Sequence, residues 1–352
     1  MMAPAPQSTT AREAAAGTDN LIARRLAAHC AAYKGADSKR ALLQVVVTGV
    51  LFLALCAAML LTVDHAYWLT AVMTLPAAGL LVRLFIIQHD CGHGSFLGSR
   101  AANDWVGRAI SLVTLTPYGY WRQAHARHHA TSGNLDRRGT GDVTTLTVKE
   151  YRASSLRARA AYRFYRNPLV LLLVGAPLHF IVLQRLPPRM SLSSRAAWRS
   201  VLSLDAAVVV LYGLLATAVG VDSLLMACLP MMVIASWIGG WMFYVQHQFE
   251  DANWTRGKDW EFQTAAIHGS SYLVLPRLLR WFTGSIGLHH VHHLNSMIPN
   301  YRLQECLADS PELQAMSRLT IAESLKCARL ALWDEDRRKL VGFREIRHGV
   351  TA

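Results

Sequence analysis

Residues 287–295, "GLHHVHHLN", place four histidines in five positions. They form the last of three such groups among the chain's 15 histidines. The first is "HDCGHGS", with His89 and His93, and the second is "HARHH", with His125, His128 and His129. The third holds His289, His290, His292 and His293. Residues three or four apart share one face of a helix. His89/His93, His125/His128/His129 and His289/His292/His293 can therefore each present a convergent set, whereas His290 falls off its face. His247, in "WMFYVQHQFED", is a ninth candidate ligand, and His268, in "AAIHGSSY", is a reserve.

So many imidazoles exceed the needs of one zinc, which is complete with four ligands, or with three and a water. They divide naturally between two six-coordinate ions, leaving a position or a bridge for solvent or O₂. Imidazole suits iron, zinc, copper and nickel. A pair of irons can use O₂ to remove hydrogen from an unactivated C–H bond, so the expected chemistry is a di-iron oxidation. Without metal, the packed rings would leave buried nitrogens unsatisfied. A pH sensor does not require three repeats of ligand spacing. The "HExxH" of a zinc protease is absent. Asp90, Asp136, Glu250 and Asn295 lie close in sequence to the groups and are candidates to orient a ring. Gly92 and Gly94 flank His93 and allow the backbone to turn closely under a metal. The isolated His65, His179 and His348 are read as hydrogen-bonding between helices.

The elements that position these groups are membrane helices. The chain is 52% hydrophobic and only 17% charged, against about a quarter charged in a soluble domain. Segments 41–62, 66–88, 200–220 and 223–245 are long and apolar enough to cross a bilayer. They form two hairpins, turning near Asp64 and Asp222, and neither turn carries Lys or Arg. Basic residues cluster before the first segment and between the second and third. The positive-inside rule thus puts both termini and all three histidine groups on the cytoplasmic side, in a bacterial inner membrane. The net charge of +13 is read as attraction to anionic lipid rather than nucleic acid.

The expected fold is an all-α integral membrane protein: four transmembrane helices in two hairpins, with a cytoplasmic helical cap carrying the metal site. Residues 1–35 read as a flexible tail and 36–352 as one membrane domain, with the cap formed by 89–199 and 246–352. The short apolar stretches 105–117 and 169–184 read as helices lying in the interface or dipping into it. The closing "CARLALWDEDRRKLVGFREI" (327–346) reads as a soluble helix. The six cysteines show no paired spacing, so neither a disulfide framework nor a thiolate metal site is expected.

Five stretches in order carry a family resemblance: "HDCGHGSF" (89–96), "YWRQAHARHHATSGNLD" (120–136), "DVTTLTVKEY" (142–151), "FYVQHQFEDANW" (243–254) and "LPRLLRWFTGSIGLHHVHHLNSMIPNYRL" (275–303). The chain resembles the membrane fatty acid desaturases, most closely those of the omega-6 or delta-12 type. The resemblance implies a di-iron centre held by His89, His93, His125, His128, His129, His247, His289, His292 and His293. It implies O₂ as co-substrate and electrons from a separate carrier such as ferredoxin or cytochrome b5 with its reductase. The substrate would be an acyl chain on a membrane lipid, coenzyme A or carrier protein. It would enter a narrow, bent apolar tunnel, for which "YGYW" (118–121), Trp237, Trp241 and Tyr244 are candidate wall residues. The nearest alternative on this scaffold is a hydroxylase or ketolase acting on an acyl chain, sterol or carotenoid.

Overall fold

The computed structural model describes residues 9–139, 141–187 and 194–347; His348 lies outside them. The segment read as a flexible tail is instead helical from Thr9 onward, as α1 (Thr9–Ala31). Ala23, Leu26 and Cys30 recur at helical spacing and are buried. They pack against Ile267, Leu288, Val291 and Cys306. Burial of that one apolar stripe outweighs the polar composition around it.

Among the described residues, four helices have membrane length and an apolar surface: α2 (Ser38–Thr62), α3 (Tyr67–His93), and, further along, Arg195–Val219 and Val221–His247. At about 1.5 Å per residue each is long enough to span a hydrocarbon core. Leu42, Leu53, Val72, Val209 and Leu214 point outward, each more than half exposed. That surface suits lipid. Asp37 starts α2 by accepting the N–H groups of Lys39 and Arg40 on one carboxylate oxygen. Central helix α3 packs against α2 and against the helix Val221–His247. It runs five residues past the predicted crossing (66–88), so His89 and His93 ride its last turns. Gly94, at φ 79°, ends it: its N–H reaches Cys91 O and that of Ser95 reaches Asp90 O.

Helices α4 (Arg100–Thr114) and α5 (Tyr118–Thr131) follow, and α4 contains most of the predicted short segment 105–117. Next come α6 (Val148–Ala153) and α7 (Leu156–Tyr165). After a bend of 55°, a π-helical turn (Leu169–Gly175) leads into α8 (Ala176–Ile181). The third and fourth long helices are α9 (Ser194–Val219) and α10 (Val221–His247). Ser223 Oγ donates to Asp64 at 2.9 Å, so the two polar turns sit together at one end of the bundle. Six short helices follow among the described residues: α11 (Phe262–His268), α12 (Arg277–Phe282), α13 (His289–Leu294), α14 (Leu303–Ala308), α15 (Pro311–Ala315) and α16 (Ile321–Cys327).

The predicted C-terminal helix is corrected. Strands β4 (Leu330–Asp334) and β5 (Lys339–Gly342) form an antiparallel hairpin, joined on the β4 side by β1 (Leu146–Thr147). A second small pair joins β2 (Tyr272–Leu273) to β3 (Arg318–Leu319). Ala331, Leu332 and Trp333 are consecutive and all buried, as are Leu340 and Val341. An apolar block, a charged turn and another apolar block is a hairpin pattern with no 3.6-residue period.

Candidate metal centre

Four separate elements bring the nine predicted histidines together. The last turns of α3 carry His89 and His93, and α5 carries His125, His128 and His129. His247 is the final residue of α10, and α13 carries His289, His292 and His293. The rings sort into two sets. His89, His93, His125, His129 and His292 have one nitrogen each within 4.8 Å of one another, and so do His128, His247, His289 and His293. Most are buried; His93 and His125 are half-buried. The groups interleave, since α5 supplies rings to both sets.

The hydrogen bonds on the far side of three rings fix which nitrogen faces inward. His247 Nδ1 meets Gly269 O at 3.1 Å. A carbonyl only accepts, so Nδ1 carries the hydrogen and Nε2 is a bare lone pair. His128 Nδ1 meets Asp142 Oδ1 at 2.5 Å, and in the neutral ring that donation leaves Nε2 bare as well. These two bare nitrogens lie 3.1 Å apart. They cannot hydrogen-bond to each other, and lone pairs at that separation repel. A cation held by both resolves the conflict. With a bond of about 2.1 Å, as imidazole makes to zinc, adjacent octahedral vertices are about 3.0 Å apart. The Nε2–Nε2 separations of His289–His247, His125–His89 and His292–His129 are 3.0, 2.9 and 3.1 Å. His93 Nε2 and His293 Nε2 are buried without a hydrogen-bond partner, as a ligand nitrogen is before its metal is added. Burial, reinforced by neighbouring imidazoles, holds His125, His129, His289, His292 and His293 well below the usual imidazole range. They are therefore neutral, the form that binds a metal. The donor set fits two ions.

Of the four residues predicted to orient rings, Asp90 does so. It meets His89 Nδ1 at 2.9 Å and accepts the Asn300 N–H at 2.6 Å. The other three do not. Asp136 pairs with Arg256 and the Gly257 N–H, both at 2.8 Å. Glu250 pairs with Lys339, and Asn295 accepts from the Met297 N–H. Asp142 takes the role instead. Gly141 makes that approach feasible: at φ 71°, an added Cβ would lie 3.2 Å from His128 Cβ. Buried Arg166 secures the same region by donating to Thr144 O, Gln248 Oε1, Tyr244 OH and Leu330 O. It thereby ties the Asp142 loop to the end of α10.

His290 points away, as its spacing predicts, and its Nε2 meets Leu313 O at 3.0 Å. His268, the reserve, belongs to neither set. Of the aromatic candidates, Trp121 stacks on His125 at 4.6 Å and 14°. Gly92 leaves room for it, since a Cβ there would lie 2.9 Å from the indole. Phe243, not singled out from sequence, borders both His128 and His247. Tyr244 spends its hydroxyl on Leu330 O, and Trp237 its N–H on Leu173 O.

Residues 66–324 match the family model described as "Fatty acid desaturase". A "Fatty acid desaturase" of Bacillus subtilis (strain 168) is 39% identical over 325 residues, covering 92% of each chain. Two proteins of Synechocystis sp. are more distant. One, an "sn-1 acyl-lipid omega-3 desaturase (ferredoxin)", is 29% identical over 63% of this chain and 61% of its own. The other, an "sn-1 oleoyl-lipid 12-desaturase", is 26% identical over 64% and 63%. With most of the chain matched and its histidines converging in two sets, the protein belongs to the membrane fatty acid desaturase family and is an oxidoreductase of lipid metabolism.

Proposed function

We propose that the protein binds two irons and uses O₂ to introduce a cis double bond into an acyl chain of a membrane lipid. His89, His93, His125, His129 and His292 would hold one ion, and His128, His247, His289 and His293 the other. The iron pair supplies oxidising power for removing one hydrogen from each of two adjacent methylenes. With two electrons and two protons, O₂ leaves as two waters. An external carrier such as ferredoxin or cytochrome b5 with its reductase delivers the electrons; one similar protein carries ferredoxin in its name.

The chain's own residues orient and exclude. Asp90, Asp142 and Gly269 O keep the N–H of His89, His128 and His247 outward and the ligand lone pair inward. Trp121 and Phe243 place apolar surface beside the rings, where a featureless acyl chain has to be held. Both termini and the site lie on the cytoplasmic side in this reading. Its support is the polar pairing of the two Lys- and Arg-free turns at the opposite end from His93 and His247.

The observation that carries the reading is the pair of inward lone pairs on His128 and His247, 3.1 Å apart. For the position of the new bond we infer delta-12 or omega-6, from the likeness of the histidine-bearing segments. Acyl profiles of host cells with and without the protein test both levels. A new cis double bond at another position overturns the position alone. An acyl product retaining an oxygen atom from O₂ overturns desaturation in favour of hydroxylation.

A further inference from the structure

No cysteine spacing in the sequence signals a bridge, yet Cys30 and Cys306 meet in the fold with their sulfurs 3.5 Å apart, across 276 residues. Both are fully buried. Cys30 sits in the last turn of α1 and Cys306 in α14. Around them, Arg24 pairs with Glu261, Arg25 with Glu312, and His29 Nε2 donates to Cys306 O at 3.0 Å. The same apolar cluster includes Leu288, Val291 and Leu294. Those residues back the third histidine group, so α1 is a strap laid against the wall of the metal centre.

We propose that Cys30 and Cys306 are a modification site: hydrogen peroxide converts them to a reversible disulfide that staples α1 to α14. The first thiol sulfur attacks one peroxide oxygen. The O–O bond breaks, water leaves, and a sulfenic acid remains. The second thiol attacks that sulfur, the S–S bond forms, the S–O bond breaks, and a second water leaves. Two thiols lose two electrons and two protons in all, and one peroxide becomes two waters. Closing the bond shortens the sulfur separation to about 2.05 Å, a shift of about 1.5 Å. Two cysteines can also meet simply as small apolar groups, and the test separates that case. The facing Cys30 thiol, together with burial, pushes the Cys306 thiol up. Reaction is thus slow, and favours a small oxidant over bulky alkylating reagents.

The full-length protein in detergent micelles is treated with hydrogen peroxide, its free thiols are blocked, and its peptides are mapped without reduction. Sulfoxidation of the 42% exposed Met297 gauges the oxidant dose. The expected result is a linked Cys30–Cys306 peptide, dissolved by dithiothreitol. Thermal unfolding of oxidised wild type should rise by several degrees over reduced protein, while Cys30→Ala and Cys306→Ala show no such rise. Fully sulfoxidised Met297 with both thiols free, or with sulfinic acid in place of the link, overturns the proposal. A link that leaves the unfolding midpoint unchanged overturns the staple.

Discussion

Replacing Asp142 with alanine isolates the contribution of one oriented ring. Its carboxylate and the His128 ring are 7% and 1% exposed, with a 2.5 Å contact between them. Alanine strands a buried N–H and frees the imidazole to rotate or to move its hydrogen to the inward nitrogen. An orphaned buried donor costs about 1–3 kcal/mol, which corresponds to about 5- to 150-fold in metal binding. Loss of an outer partner typically costs about 10- to 100-fold in metal affinity or activity, in the same range. Asp142→Asn keeps an acceptor but not the charge, so its loss should be smaller. The assay is iron retained against a graded chelator, followed by acyl-chain turnover with a saturating electron donor. Only one of the two ions should become labile, because Asp142 touches only the four-histidine set. Two tightly held irons and full turnover in Asp142→Ala would refute the orientation argument, as would equal loosening of both ions.

Other substitutions probe the surroundings. His292→Ala should abolish turnover and lower the iron content. His290→Gln should keep both irons and cost only about 1–3 kcal/mol of stability, read by thermal unfolding, because that ring serves Leu313 O. Arg166→Ala should destabilise the protein by about 2–4 kcal/mol, since several buried acceptors lose a charged donor. Arg166→Lys should recover only part of this, because an ammonium cannot fan out to all of them. Gly92→Leu should displace Trp121 from His125 and reduce turnover more than iron content, a split that metal analysis beside the activity assay would reveal.

What the sequence made legible was chiefly periodic. Four apolar runs announced the long helices, and i, i+3, i+4 spacing announced both the inward histidines and the outward His290. What it hid was non-local or non-periodic. Asp142 lies 14 residues beyond the ring it holds, behind a glycine-rich turn, so sequence proximity favoured Asp136 instead. The sheet of β1, β4 and β5 depends on pairing between residues near 146 and 332, which local helical propensity cannot reveal. Helix α1 was obscured by its small and polar residues. Its burial stripe has meaning only once α11, α13 and α14 are in place. The meeting of Cys30 with Cys306 has no sequence signature at all.

The most direct test is metal content together with Mössbauer spectroscopy on protein purified from cells grown in ⁵⁷Fe. Two irons per chain in nitrogen-rich environments, falling to about one when His128 and His247 are both replaced, is the predicted result. A single redox-silent ion per chain, or two irons undisturbed by that double replacement, would contradict it.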